Sequence, residues 1–142
     1  MRIRPVQPHD APAVRELIRQ LGYPSVDPTA RLQAWTGDPQ SAAYVADADG
    51  NVLGVVAVHI CPFFERAGAW GRIVALVVSD RARGQGIGGE LMAAAEAFAA
   101  GHGCVRLEVT SSNHRHVAHA FYQRRGYVDQ SGRSTRFIRE LR

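Results

Sequence analysis

The sequence contains few cysteines and has no long uninterrupted apolar run. Cys61 and Cys104 form neither a C-x-x-C pair nor the framework of a disulfide-stabilised secreted domain, and each is interpreted as a small buried hydrophobic residue. No segment approaches the roughly 18 consecutive apolar residues of a membrane-spanning helix. The N-terminal segment MRIRPVQPHD also lacks the apolar centre of a signal peptide. These absences predict a cytoplasmic protein with no membrane partner.

The sequence also lacks the basic motifs of nucleic-acid-binding domains. The chain of 142 residues carries a net charge of +4, but its arginines are scattered and become denser only between Arg124 and Arg142. A polyanionic small ligand explains a modest positive balance, so no nucleic-acid partner is predicted. The length suits one domain with a sizeable core, and we expect a single domain, residues 1–142.

Periodicity and turn residues predict the order strand, two helices, three strands, helix, strand, helix, strand. Asp10 and Asp27 are the expected N-caps of the first two helices, because each has a proline close behind it. Asp49-Gly50 marks a hairpin turn between two of the strands. The segment 133–141, RSTRFIREL, is the expected last strand. This order predicts a mixed α/β or α+β fold with helices on both faces of the sheet.

The segment RARGQGIGGEL places four glycines within six positions, directly ahead of a helical apolar pattern. The start of a helix offers unpaired N–H groups and the positive end of the helix dipole. Glycines let a large anion approach those groups, and Arg83 adds a charge-assisted donor. The segment therefore predicts a phosphate or pyrophosphate site, although a tight strand-to-helix turn that binds nothing is the alternative.

Three phosphate-binding loops compete for this segment. The nucleotide triphosphatase loop needs a lysine where Glu90 stands, and a carboxylate there would repel a triphosphate. The dinucleotide fingerprint G-x-G-x-x-G is present, but it normally follows the first strand of a doubly wound sheet, and too few residues follow Gly89 for such a sheet. The third loop, R-x-x-G-x-G, binds acetyl-coenzyme A and fits Arg83, Gly86 and Gly88.

Two segments of the chain resemble the signatures of one enzyme family. ALVVSDRARGQGIGGEL resembles the first signature of GCN5-related N-acetyltransferases, the GNAT family, and AHAFYQRRGY resembles the second. The resemblance implies the GNAT fold, with a central mixed, mostly antiparallel sheet that splays at the cofactor site. It also implies acetyl-coenzyme A as co-substrate and a possible homodimer. The second signature is nearest to aminoalkylphosphonate and small-amine N-acetyltransferases, so the implied acceptor is a primary amine of a small molecule.

The resemblance implies a cofactor site made largely of backbone. The pantetheine arm is expected to pair with the strand end Leu76 to Val78, where an N–H of Val77 or Val78 would polarise the thioester carbonyl. Asn113 is expected mainly to cap the following helix, with Arg115 closer to the cofactor. The full set of implied cofactor-binding residues is Leu76, Val77, Val78, Arg83, Gly84, Gln85, Gly86, Ile87, Gly88, Gly89, Asn113, Arg115 and Tyr122.

Tyr122, in the second signature, is the candidate general acid. A phenol has a pKa of about 10, so it stays protonated at neutral pH and can donate a proton to the departing thiolate. The resemblance implies that this tyrosine lies close to the sulfur. Without the resemblance, Tyr122 would be interpreted as a packing aromatic residue with a satisfied hydroxyl.

The general base is the role that the sequence leaves open. Many relatives carry an acidic residue on the strand before the glycine loop, whereas Val74 and Ala75 occupy the corresponding positions here. His59 on the preceding strand is the candidate substitute, because imidazole accepts protons near neutral pH. An ordered water chain is one alternative, a purely structural role for His59 is another, and Glu65 and Glu108 are poorer candidates.

No metal site is expected. His114, His116 and His119 are interpreted as solvated histidines, since a tetrahedral zinc site needs further ligands that the sequence does not place beside them. Two other functions stay open beside small-molecule acetylation. One is acetylation of a protein N-terminus or lysine. The other is a coenzyme A-binding sensor without turnover, which the missing strand carboxylate favours.

Overall fold

A computed structural model describes residues 1–111, 113 and 115–142. The chain divides into two compact units, Met1–Val109 and Thr110–Arg142. The elements of the first unit are β1 (Arg2–Pro5), α1 (Ala11–Leu21), α2 (Thr29–Thr36), β2 (Ser41–Ala48), β3 (Asn51–Pro62), β4 (Ala69–Val78), α3 (Ile87–Gly101) and β5 (Cys104–Val109). Two short 3₁₀ helices, Pro8–Asp10 and Asp80–Ala82, precede α1 and α3.

The strands of the first unit form one five-stranded sheet in chain order. All neighbouring pairs are antiparallel except β4 and β5, which run parallel. Asp49 and Gly50 turn the β2–β3 hairpin with φ angles of 51° and 89°, in the left-handed region that such two-residue turns require. These observations confirm the predicted mixed, mostly antiparallel sheet and the predicted turn.

Helices cover both faces of this sheet, as the sequence predicts. Val55 of β3 belongs to a buried apolar cluster with Leu17 of α1 and Leu32 of α2. Successive strand residues point to opposite faces, so Gly54 faces the other side. A Cβ at Gly54 would lie 2.9 Å from Cδ1 of Leu91, which shows how closely α3 packs there.

Asp10 stands at the N-cap position of α1, but its carboxylate does not cap that helix. It accepts hydrogen bonds from Nη1 and Nη2 of Arg4, each at 2.8 Å, and from the N–H of Gln7 at 2.7 Å. Nε of Arg4 also donates to Asp47 at 3.0 Å. The predicted cap is therefore wrong in its contacts, because the nearby guanidinium is the stronger partner for a buried carboxylate. The predicted N-cap at Asp27 is wrong in position, because Pro28 is the N-cap residue of α2, although the Asp27 carboxylate accepts from the N–H of Thr29 at 3.0 Å.

The second unit contains one helix, α4 (His116–Arg124), within its described residues. The predicted cap at Asn113 is wrong, because the helix begins later and Arg115 occupies its N-cap position. The predicted strand at 133–141 is also wrong: these residues form no strand, and Phe137 and Leu141 are 89% and 86% exposed. Residues with an alternating apolar pattern form a strand only where a partner strand provides the hydrogen bonds of the ladder. The sequence pattern alone does not show whether such a partner is present.

Candidate active site

A bulge interrupts β4 in the middle of the sheet. Ala57 of β3 pairs with Ala75, and the next residue, Val58, pairs with Ile73, so Val74 is the extra residue on β4. Val74 is 46% exposed. A bulge of this kind bends a strand and disrupts the regular ladder, and it lies at one of the two positions, Val74 and Ala75, where the resemblance led us to expect an acidic residue.

Beyond the bulge, β4 loses one of its two neighbours. β5 pairs with β4 only from Ala69 to Ile73, whereas β3 follows β4 as far as Val78. Within the described part of the first unit, one edge of the segment 74–78 therefore has no partner strand. This is the splayed sheet that the sequence predicts, and an open edge of this type can accept an extended ligand by strand addition.

The side chains of this segment pack while its backbone edge stays open. Val77 is 6% exposed and belongs to the apolar cluster beneath α1. Leu76 and Val78 are half-buried. The two roles foreseen for this segment are compatible, because the side chains hold the strand in place while one backbone edge pairs with no described strand of the first unit.

The glycine loop follows at once and is exposed from Arg83 to Gly86. Gly84 and Gly86 have φ angles of 81° and 77°, and a Cβ at either position would meet nothing within 4 Å. Glycine is therefore required by the backbone conformation rather than by crowding. Gly86 is the N-cap residue of α3 and has no side chain to cap it, so the N–H groups of the first turn, Ile87 to Gly89, are available to an anion.

Packing on β3 fixes the loop beside the end of β4. Ile87 and Leu91 of α3 are buried and lie against Gly54. The N–H of Ser79 donates to the carbonyl oxygen of Leu53 at 2.8 Å, and the N–H of Asp80 donates to Oε1 of Gln20 at 2.9 Å. The loop predicted to bind pyrophosphate thus directly follows the strand end predicted to bind pantetheine, within the first unit.

His59 lies in β3, opposite Ser41 of β2 and Arg72 of β4. Its Nδ1 is 2.8 Å from Oγ of Ser41, and the Ser41 hydroxyl donates to Oδ2 of Asp38 at 2.8 Å. Nδ1 of His59 is 4.0 Å from the same carboxylate oxygen. The histidine is the second residue after Ala57, where the register with the bulged strand changes.

Asp38 and Ser41 are polar residues that sequence reasoning missed. The short segment Asp38 to Ser41 reads only as a polar turn before a strand, in which Asp38 accepts from the N–H of Gln40 at 2.9 Å. The partner His59 lies in the next strand, and only the register of β2 with β3 reveals the contact. Of the poorer candidates for the base, Glu65 is exposed in the loop before β4, and Glu108 pairs with Arg106 at 3.3 Å.

Tyr122 is half-buried in α4, within the second unit. Its ring makes edge-on contacts with Phe121 and Tyr127, at centroid distances of 5.3 and 6.0 Å. Burial raises the pKa of the Tyr122 phenol above its ordinary value of about 10, against an opposing effect of the Arg115 charge. The phenol is consequently protonated at neutral pH, which a general acid requires.

The other predicted residues of the second unit take less defined positions. Asn113 is exposed and precedes the helix, and Arg115 is its N-cap residue. The rings of His116 and His119 face each other edge-on at 6.0 Å, while His114 lies outside the described residues. Among the residues described, no group of three or more potential ligands is arranged to hold a metal ion.

Cys61 and Cys104 are free thiols and half-buried, so they are less buried than predicted. None of the helices in residues 1–111, 113 and 115–142 combines the length and the apolar character that crossing a bilayer requires.

Comparison with known proteins agrees with the fold. A family model described as the acetyltransferase (GNAT) family matches residues 11–127. The chain is 35% identical over 101 residues to the aminoalkylphosphonate N-acetyltransferase of Salmonella typhimurium, a match that covers 71% of this chain and 66% of that protein. A protein of known structure from Agrobacterium tumefaciens strain C58 matches with a TM-score of 0.87 and 25% identity, over 99% of this chain and 100% of that one. An aminoglycoside N-acetyltransferase solved with coenzyme A matches with a TM-score of 0.82 and 19% identity over 98% of each chain, which shows a common fold.

The family match and the shared fold place the chain in a class of proteins that bind acyl-coenzyme A. The chain belongs to the GNAT family of acetyl-coenzyme A-dependent N-acetyltransferases. The alignment spans about two thirds of the Salmonella relative's length.

Proposed function

We propose that this protein transfers the acetyl group of acetyl-coenzyme A directly to a primary amine of a small molecule. The observation that carries the proposal is that the glycine loop directly follows segment 74–78 of β4, one edge of which pairs with no described strand of the first unit. Holding the thioester and the amine together supplies much of the rate enhancement in a direct transfer. The chain is proposed to act as one acetyltransferase domain, residues 1–142, because the family match extends through both units.

In this proposal, backbone groups hold the cofactor. The pantetheine arm lies along the segment Leu76 to Val78, and an N–H of Val77 or Val78 polarises the thioester carbonyl. The pyrophosphate binds the N–H groups of the loop and of the first turn of α3, Gly84 to Gly89, with Arg83 as an additional cation. Asn113 and Arg115, which precede α4, are further candidates for contacts with the cofactor.

The reaction needs two proton transfers around the attack. A primary ammonium has a pKa near that of lysine, about 10.4, so it must lose a proton before it attacks at neutral pH. His59, or a water chain leading to solvent, accepts that proton. The amine nitrogen then bonds to the thioester carbon, the C–S bond breaks, and Tyr122 donates a proton to the departing thiolate.

The acceptor class rests on the second signature and on the Salmonella relative, whose name describes acetylation of aminoalkylphosphonates. The phosphonate itself is not carried over, because Val74 and Ala75 replace the acidic residues on the strand.

We further propose a cytoplasmic homodimer. The free thiols of Cys61 and Cys104 suit a reducing compartment. Cell fractionation and analytical ultracentrifugation test these two points.

A thiol-release assay across small amines, aminoglycosides and lysine peptides tests the function, together with calorimetry against acetyl-coenzyme A and NAD. We expect acetyl-coenzyme A to bind, NAD not to bind, and turnover with small primary amines. Turnover on peptides alone would instead assign a protein acetyltransferase. Cofactor binding without turnover on any amine would assign a sensor, and binding of NAD alone would overturn the cofactor assignment.

A further inference from the structure

Three polar side chains form a connected chain beside the bulge of β4. The carboxylate of Asp38 accepts the hydroxyl hydrogen of Ser41, and Oγ of Ser41 meets Nδ1 of His59, with both distances at 2.8 Å. Asp38 lies in the turn after α2, Ser41 begins β2, and His59 lies in β3. These hydrogen bonds therefore connect the turn before β2 to β3, the strand that pairs with the bulged strand β4.

The number of hydrogens on each group determines which group donates in each of these hydrogen bonds. The N–H of Gln40 and the Ser41 hydroxyl hold the pKa of Asp38 below its ordinary value, so the carboxylate is ionised at neutral pH and only accepts. A hydroxyl has one hydrogen, and Ser41 gives it to Asp38. Oγ of Ser41 can then only accept from His59, which requires hydrogen on Nδ1. In a neutral imidazole with that tautomer, the free lone pair is on Nε2.

Nε2 of His59 is accessible. The side chain is 47% exposed, and within the described part of the chain no residue hydrogen-bonds to Nε2. Two charged residues on the neighbouring elements are next to His59: Asp38, whose Oδ2 is 4.0 Å from Nδ1, and Arg72, its register partner on β4. Trp35 of α2 approaches the ring edge-on at 6.3 Å and is uncharged.

We propose that Asp38 and Ser41 are positioning residues, which hold His59 in its Nδ1-protonated tautomer so that Nε2 accepts the proton of the acceptor ammonium. This inference rests on the proposed function. One N–H bond of the ammonium breaks and an N–H bond forms at Nε2, which leaves a neutral amine and an imidazolium. The Asp38 carboxylate, 4.0 Å from Nδ1, stabilises that positive charge. The imidazolium then returns its proton to solvent.

Long-range proton–nitrogen NMR of the imidazole rings tests the tautomer without any turnover. The His59 signals are assigned by their loss in His59→Gln. At a pH where the imidazole is neutral, we expect hydrogen on Nδ1 of His59 in the wild-type protein and in Ser41→Thr, which keeps the hydroxyl. In Ser41→Ala we expect a mixture of both tautomers. In Asp38→Asn the side-chain oxygen keeps its contact with the N–H of Gln40, so the amide NH₂ faces Ser41 and donates to its Oγ. The Ser41 hydroxyl then donates to Nδ1 of His59. The imidazole hydrogen is therefore expected on Nε2.

Kinetics at neutral pH tests the consequence. We expect kcat/KM to fall on the order of tenfold in Ser41→Ala and further in Asp38→Asn, as a share of the roughly 10²- to 10⁴-fold that a general base supplies. Ser41→Thr should retain the wild-type rate, and acetyl-coenzyme A affinity should be unchanged in all three variants. Hydrogen on Nε2 in the wild-type protein would overturn the proposal, as would wild-type kinetics in Asp38→Asn. If the wild-type protein does not bind acetyl-coenzyme A or turns over no amine, the proposed function is overturned instead. The NMR result on the His59 tautomer does not depend on that outcome.

Discussion

Tyr122 combines two properties that a general acid needs, a proton at neutral pH and a half-buried position. Substitution Tyr122→Phe removes the proton and leaves the ring contacts with Phe121 and Tyr127. Because the hydroxyl acts in the transition state, we expect kcat to fall by about 10²-fold or more, with little change in acetyl-coenzyme A affinity. Steady-state kinetics and calorimetry measure the two effects.

The matched control is Tyr23→Phe, because Tyr23 is 63% exposed in the first unit and has no proposed role. It should leave kcat unchanged. If Tyr122→Phe keeps the full single-turnover rate, where chemistry is observed without product release, the assignment of the acid is wrong.

His59 gives a prediction about pH dependence. A histidine base is inactive when protonated, so kcat/KM of the wild-type enzyme should fall on the acid side of the profile. His59→Ala should remove this acid limb and lower the plateau. His9→Gln is the control, because His9 is 74% exposed at its side chain and lies before α1. An acid limb that persists unchanged in His59→Ala would assign proton removal to a water chain or to the ionisation of the substrate.

At the scale of elements, the positive φ angle of Gly86 in the glycine loop gives a prediction about stability and cofactor binding. An L-residue in the left-handed region costs about 1–2 kcal/mol, and Gly86 has a φ of 77°. Gly86→Ala should therefore lower the free energy of unfolding by about that amount, or move the N–H groups of the first turn and weaken acetyl-coenzyme A binding. Urea denaturation and calorimetry follow the two outcomes.

Gly101→Ala is the control on the same helix. Gly101 is the last residue of α3, and a Cβ there meets nothing within 4 Å. Alanine is a better helix former than glycine, so this variant should be as stable as the wild-type protein or slightly more stable. If Gly86→Ala matches the control in both stability and cofactor affinity, the loop does not depend on its glycine conformation.

The elements also show how far the sequence could be interpreted. Apolar periodicity and turn residues predicted the helices and strands of the first unit, because those signals are local. The bulge at Val74 was not predicted in position, since its cause is a change in pairing between two strands. The link from Asp38 through Ser41 to His59 was missed for the same reason. The prediction of a strand at 133–141 was wrong because the alternating pattern is a local signal, whereas a strand also needs a partner strand from elsewhere in the sequence.

At the scale of the whole molecule, the charges of Arg4, Asp10 and Asp47 join β1, the segment before α1 and β2. Burial by itself would raise the pKa of Asp10, but the hydrogen bonds from Arg4 and from the N–H of Gln7 lower it below its ordinary value. The pKa of Asp47 is lowered by Arg4 and by the N–H of Gly50. Both carboxylates therefore bind protons less readily in the folded chain than in the unfolded chain.

The sign of the pH effect follows from linkage. A carboxylate with a lowered folded-state pKa contributes its stabilisation fully above its unfolded pKa, about 3.9 for aspartate, and loses it as the pH falls through the folded value. The free energy of unfolding should therefore decline as the pH falls from about 5 toward 3. In Asp10→Asn, which is a neutral isostere, the plateau near pH 7 should be lower and the decline shallower, because one titrating group is gone. Urea denaturation at a series of pH values measures both slopes, and equal slopes would show that the Arg4 network does not determine the acid stability of the fold.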